Sequence, residues 1–105
     1  MSIARLLPGS VIVFLAASFA SSAVAQAAAD DKEHLAALRA EATALENGEG
    51  VAKNPLRAFE LYCQAARKGD AEAEYAIGWM YANGRGVMRN DPLASRFFGM
   101  AAAQG

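Results

Sequence analysis

A 36-residue self-similarity constrains what this 105-residue chain can fold into more than any other feature. Asn47-Gly48-Glu49-Gly50-Val51 returns as Asn83-Gly84-Arg85-Gly86-Val87. Asn54 returns as Asn90, Ala58 as Ala94, Ala65-Ala66 as Ala101-Ala102 and Gly69 as Gly105, all without a gap. An offset kept through two turns and two helical patterns marks stacked supersecondary units, none of which can bury its apolar face alone. Such units usually present surfaces rather than house reaction chemistry, so binding is the first expectation for function.

The first 25 residues have a different character. Met1-Ser2-Ile3-Ala4-Arg5 is positive, residues 6–20 carry no charge, and Ala23-Val24-Ala25 is a small-x-small tripeptide before Gln26. That order predicts a secretory signal peptide over residues 1–25, cut between Ala25 and Gln26. The apolar run is broken by Pro8, Gly9, Ser10 and Ser18, and is shorter than the ~20 residues a spanning helix needs. No stable membrane insertion is therefore expected after cleavage, and the expected location is periplasmic or extracellular. Removing 25 of 105 residues leaves 80, enough for one small domain. With Arg5 gone, 9 basic and 11 acidic side chains remain, a net charge of −2. That balance offers nothing to nucleic acid or to an anionic membrane surface.

The remaining chain reads as helices. Residues 26–31 form an alanine-rich leader expected to be disordered, after which Asp30 or Asp31 opens a helix with Glu33 as capping-box partner. Leu35, Leu38, Ala42 and Leu45 share one face of it, and Gly48 and Gly50 stop it. Asn54-Pro55 opens the second helix, with Leu56, Phe59, Tyr62, Cys63 and Ala66 on its apolar side and Gly69 at its end. Asp70 caps a third over residues 71–82, which Asn83-Gly84 terminates. Asp91-Pro92 opens the fourth, one residue later than the offset requires, with Leu93, Phe97, Met100 and Ala101 on its apolar side. No alternating β-branched run occurs. The expected fold is all-α, a short α-solenoid of two stacked helix-turn-helix units over residues 32–70 and 71–105, with about four helices after the signal peptide.

The second unit resembles the Sel1-like repeat, a tetratricopeptide-like family. Its Ile77-Gly78 pair, Tyr81, Gly84-Arg85-Gly86-Val87 turn, Ala94, Phe98, Ala101, Ala102 and Gly105 follow the family pattern. The first unit matches from Asn47 to Gly69, through Gly48, Gly50, Val51, Ala58, Ala65 and Ala66. Its opening helix, with Glu41, Ala42 and Leu45 at the diagnostic positions, resembles a diverged terminal cap. A tetratricopeptide unit is shorter and lacks the Gly-x-Gly-Val turn. These motif residues have packing roles: Gly78 and the alanine pairs admit a close helix, Gly84 and Gly86 take positive φ, and Val51 and Val87 plug the hairpin ends. The resemblance implies a non-enzymatic adaptor that docks a protein partner in the bacterial envelope. It also leaves open a β-lactam- or peptidoglycan-binding relative, although those carry paired cysteines and this sequence has Cys63 alone.

At ~100° per residue, Glu72, Tyr75 and Trp79 fall on one side of the third helix, opposite Glu74, Ile77, Gly78 and Tyr81. They are either a partner-binding stripe on a concave face lined by the first and third helices, or packing against an adjacent unit. His34 and Cys63 do not recur at ligand spacing, the carboxylates form no evident acid–base pair, and the Gly-x-Gly turns lack the lysine and strand of a phosphate loop. No catalytic residue, metal or cofactor is expected. Cys63 reads as a packing residue or as one half of an intermolecular disulfide. Phe97, Phe98 and Met100 on the last helix predict an apolar flank, with homodimerisation and a truncated repeat array as open alternatives. Expression in an export-competent bacterium should yield a protein beginning at Gln26. Intact mass spectrometry checks this, and a product retaining Met1 would refute the signal assignment.

Overall fold

The computed structural model describes the backbone of residues 2–105 and the side chains of residues 22–105. Among the described residues there are four helices and no strands: α1 (Ser2–Asn47), α2 (Pro55–Arg67), α3 (Ala71–Asn83) and α4 (Asp91–Ala103). The chain divides into two units, Met1–Glu33 and His34–Gly105. Within the first, residues 22–33 are helical and exposed. The expected signal segment lies, through residue 21, outside the residues whose side chains are described, and Ala25 and Gln26 are exposed positions of α1. Residues 26–31, expected to be disordered, are helical, because alanine has the highest helix propensity of any residue. Asp30 therefore opens no helix; its carboxylate accepts from the Gln26 side-chain amide at 3.0 Å.

The second unit is built on one apolar cluster. Leu38 and Ala42 of α1 are buried in it, with Leu35 and Leu45 packed against it, as the sequence pattern requires. From α2 come Ala58, Leu61, Tyr62 and Ala65. Leu56, placed on the same face by the sequence, is exposed instead. It lies two residues before Ala58, about 200° around the helix. Helix α3 packs on both α2 and α4 and buries Ala73, Ile77, Gly78 and Met80. Ile77 and Met80 are the largest fully buried side chains, and truncating either to alanine should cost about 2–5 kcal/mol. Tyr81 packs edge-on to Phe59 at 5.5 Å and stacks on Phe97 at 5.9 Å, joining α2 to α4. On α4, Ala94 is buried, Phe97 and Phe98 are half-buried, and Met100 and Ala102 are exposed.

The helix starts keep the 36-residue register without drift. The side-chain oxygen of Asn54 accepts from Arg57 N–H at 3.1 Å, and that of Asn90 accepts from Leu93 N–H at 3.0 Å. Asn90, and not Asp91, is thus the cap of α4. The Asp91 carboxylate is taken by the Arg89 guanidinium at 3.1 and 3.2 Å. Asp70 caps α3 as expected, accepting from Glu72 N–H at 3.2 Å. Gly84 ends α3 in the left-handed conformation at φ 64°.

The two Gly-x-Gly-Val turns are alike in backbone and unlike in surroundings. Gly50 and Gly86 have φ of 75° and 74°. A Cβ on Gly86 would lie 2.6 Å from the Pro55 carbonyl, whereas nothing lies within 4 Å of one on Gly50. The second turn is therefore seated on the start of α2, and Val87 is packed against the core. Val51, expected to plug the first hairpin, is 49% exposed because no such seat exists for its turn among the described residues. Gly50→Ala should cost about 1 kcal/mol, from the positive φ alone. Gly86→Ala should cost about 1–3 kcal/mol more, because it also overpacks the Pro55 contact. Urea denaturation of both variants checks this, and equal losses would contradict the seating of the second turn.

Candidate functional site

Tyr75 and Trp79 stand one turn apart on α3, 53% and 49% exposed. Their rings meet edge-on at 6.1 Å, and both rest on Phe98 of α4, at 5.5 and 5.4 Å respectively. Gly78 makes this arrangement possible: a Cβ there would stand 2.6 Å from the Phe98 ring. The missing side chain lets Phe98 lie flush against α3 and support the two aromatics from below. Tyr75 and Trp79 thus share one face of α3, and their packing partner is the second helix of their own repeat.

The first repeat holds different chemistry at the same three places. Arg39, Thr43 and Tyr62 precede Tyr75, Trp79 and Phe98 by 36 residues each. The Tyr62 hydroxyl and Thr43 Oγ1 are 2.9 Å apart, and the hydroxyl donates to Glu46 at 3.3 Å. Burial pushes the Tyr62 phenol above its ordinary value, against the hydrogen bond from Thr43. One repeat thus closes this position with a polar network, and the next leaves an apolar aromatic trio half open.

Two grooves meet at Tyr75. One, of about 560 Å³, is lined by Ala71, Glu72, Tyr75, Phe98, Ala101 and Ala102. The other, of about 380 Å³, is lined by Glu46, Tyr75, Ala76, Trp79, Asn83 and Arg85, between α1 and α3. Ion pairs flank both. Arg85 reaches Glu46 at 3.3 Å, and Arg39 reaches Asp70 at 2.5 Å and Glu72 at 3.1 Å. The hydrogen bond to Asp70, ahead of the attraction of both carboxylates and against burial, raises the Arg39 guanidinium above its ordinary value. Glu72 keeps 77% of its side-chain surface exposed despite this contact.

The remaining candidates carry less. His34 is exposed. Among the described residues no group of three histidine, cysteine, aspartate or glutamate side chains could hold a metal ion. Two buried carboxylates escaped the sequence reading. Glu74 is 2% exposed and accepts from the Gln104 side-chain amide; Asp70 is 8% exposed on Arg39. The position of Glu74 beside Ile77 on the helical wheel was a usable signal. Nothing local signals the Arg39 contact, whose partner lies 31 residues on. Cys63 is half-buried, and burial, more than its neighbouring charges, pushes its thiol up.

The model of the Sel1 repeat family matches residues 36–70 and 71–105. Over 46 residues the chain is 46% identical to an ERAD-associated E3 ubiquitin-protein ligase component HRD3 of Candida glabrata, spanning 44% of this chain and 6% of that protein. A crystal structure of a Sel1 repeat protein from Oxalobacter formigenes aligns with TM-score 0.64 and 36% identity, over 66% of this chain and 53% of that one. The Escherichia coli protective antigen c5321 aligns with TM-score 0.66 and 32% identity, over 70% and 16%. Helicobacter pylori cysteine rich protein B aligns with TM-score 0.62 and 28% identity, over 65% and 51%. The chain thus spans about half or less of the length of these relatives.

Because its pKa is raised, Cys63 carries less thiolate than an ordinary cysteine at any given pH. At pH 8 its alkylation by iodoacetamide should be several-fold slower in the folded protein than in urea, and should accelerate as pH rises. Equal rates in the two states would show the thiol to be free of its packing.

Proposed function

Because the chain belongs to the Sel1 repeat family, we propose that it is an exported, non-enzymatic adaptor that docks a protein partner on the face bearing Tyr75 and Trp79. Sel1 repeats are protein-interaction modules. The observation that carries this assignment of the face is the aromatic pair itself, half-exposed and fixed over Phe98. Aromatic side chains held by a helix and a supporting ring lose little freedom on binding, while a partner covers a large apolar area. Residues of this type dominate the energetics of protein interfaces. Glu72 stands at the edge of the stripe as a polar rim residue, exposed enough to orient a partner without being buried by it. Export is supported by the sequence of residues 1–25. The Candida glabrata relative is a component of a ligase, which fits an assembly role. The β-lactam or peptidoglycan alternative gains no support, since it depends on bridged cysteines and Cys63 stands alone.

The immobilised mature protein should retain a specific protein from bacterial envelope extract. A folded Tyr75→Ala, Trp79→Ala double variant should weaken that capture by about 30-fold or more, as expected for loss of a hot spot worth at least ~2 kcal/mol. Undiminished recovery of the same partner by that variant would move the site elsewhere. Trp79 is the sole tryptophan, so its fluorescence should shift on titration with the captured partner.

A further inference from the structure

A third groove shares no lining residue with the two that meet at Tyr75. It has a volume of about 310 Å³, with Cys63, Ala66 and Arg67 of α2 on one wall and Phe97 and Met100 of α4 on the other, over Ile77 of α3. Both walls and the floor thus belong to helices of the two repeats. The repeat pattern itself does not call for its two polar residues. One repeat later, Gly99 stands in place of Cys63 and Ala103 in place of Arg67.

Arg67 brings a charge that nothing in the chain answers. Among the described residues the ion pairs are made by Arg39, Arg57, Arg85 and Arg89, and none by Arg67. The one carboxylate of α2, Glu60, is held by Arg57 at 3.0 Å. The Cys63 thiol feels both Arg67 and Glu60, but burial outweighs them and pushes it up, so it stays protonated at neutral pH. The groove lining therefore carries a single charge, positive, beside an apolar trough.

We propose that this groove binds a free small-molecule carboxylate with a hydrocarbon tail, the tail against Ile77, Phe97 and Met100 and the carboxylate on the Arg67 guanidinium. Small-molecule sites are concave and mostly apolar, of about 300–1,000 Å³, with a few polar groups that fix orientation. The groove stands at the lower end of that range, a volume that takes one short tail and not a helix about 10 Å across. The planar fork of an arginine matches both oxygens of a carboxylate. Met100, unbranched and polarizable, adapts to the shape of a tail. This binding is independent of the protein partner assigned to the Tyr75–Trp79 face, and either assignment can fail without the other.

Cys63 is the sole thiol, so its alkylation reports on occupancy. In the full mature chain, octanoate should slow its reaction with iodoacetamide saturably and several-fold. Octanol has the tail without the charge, and should need about threefold more for the same protection, the scale of one exposed charge contact. Arg67→Gln should bring octanoate down to the level of octanol, each rate being taken relative to the same variant without ligand. Ala66→Met, which fills the groove from the α2 wall, should abolish protection by both. Met100→Trp, at a position 45% exposed, serves if that variant does not fold. The Tyr75→Ala, Trp79→Ala double variant should keep the protection unchanged. No protection by octanoate, equal protection by octanol, or protection that survives Arg67→Gln in full would each overturn the proposal. So would protection by an acidic amphipathic peptide of leucine and glutamate where octanoate gives none, which would make a partner helix the occupant. Thiol reactivity that falls with rising protein concentration would make it a second copy, and would overturn the proposal as well.

Discussion

The sharing of α3 between two neighbours governs the rest of the structure. Neither hairpin in the second unit could bury its apolar face alone, and α3 resolves this by packing on α2 with one side and on α4 with another. That double burial explains why Ala73, Ile77 and Met80 have no exposed surface at all. It also leaves only one outward side on the helix, and Tyr75 and Trp79 occupy it. The candidate site is thus the remainder left by packing, stiffened because the helix beneath it is held from two directions.

Most of the architecture was legible in the sequence because it is carried by local signals. The 36-residue offset, the Asn54 cap, the Gly84 stop and the α1 face of Leu35, Leu38, Ala42 and Leu45 all depend on residues within a few positions of one another. Errors arose where a local rule met a competing local partner. Asp91 looks like a cap, but Arg89 engages its carboxylate first, and Asn90 takes the role. Val51 looks like a plug, but among the described residues its turn has no seat to press against. The alanine-rich leader continues a helix because nothing in it opposes helix formation.

Non-local contacts were the part that could not be read. The Arg39–Asp70–Glu72 cluster joins residues more than thirty positions apart, and no periodicity announces it. The aromatic stripe could be placed on a helix face but not given its support, since Phe98 arrives from another helix. Only the structure shows that Thr43 and Tyr62 are tied by polar bonds, and Arg39 to Asp70 and Glu72, where Tyr75, Trp79 and Phe98 form an apolar trio. Sequence similarity between repeats conceals this, because the matching residues are largely turn glycines, caps and small helix residues, while positions 39, 43 and 62 differ from 75, 79 and 98.

The seating of Gly86 on Pro55 bears on how a chain of this kind can change over time. That contact is made by main chain against main chain, with no side chain between. The seat of the second turn is therefore tied to a position where only glycine leaves room for the Pro55 carbonyl. The outward position 75 takes no part in that contact, so its side chain can differ in charge and size without crowding it. A turn held by main chain lets the outward side chains of α3 vary while the backbone beneath them keeps its place.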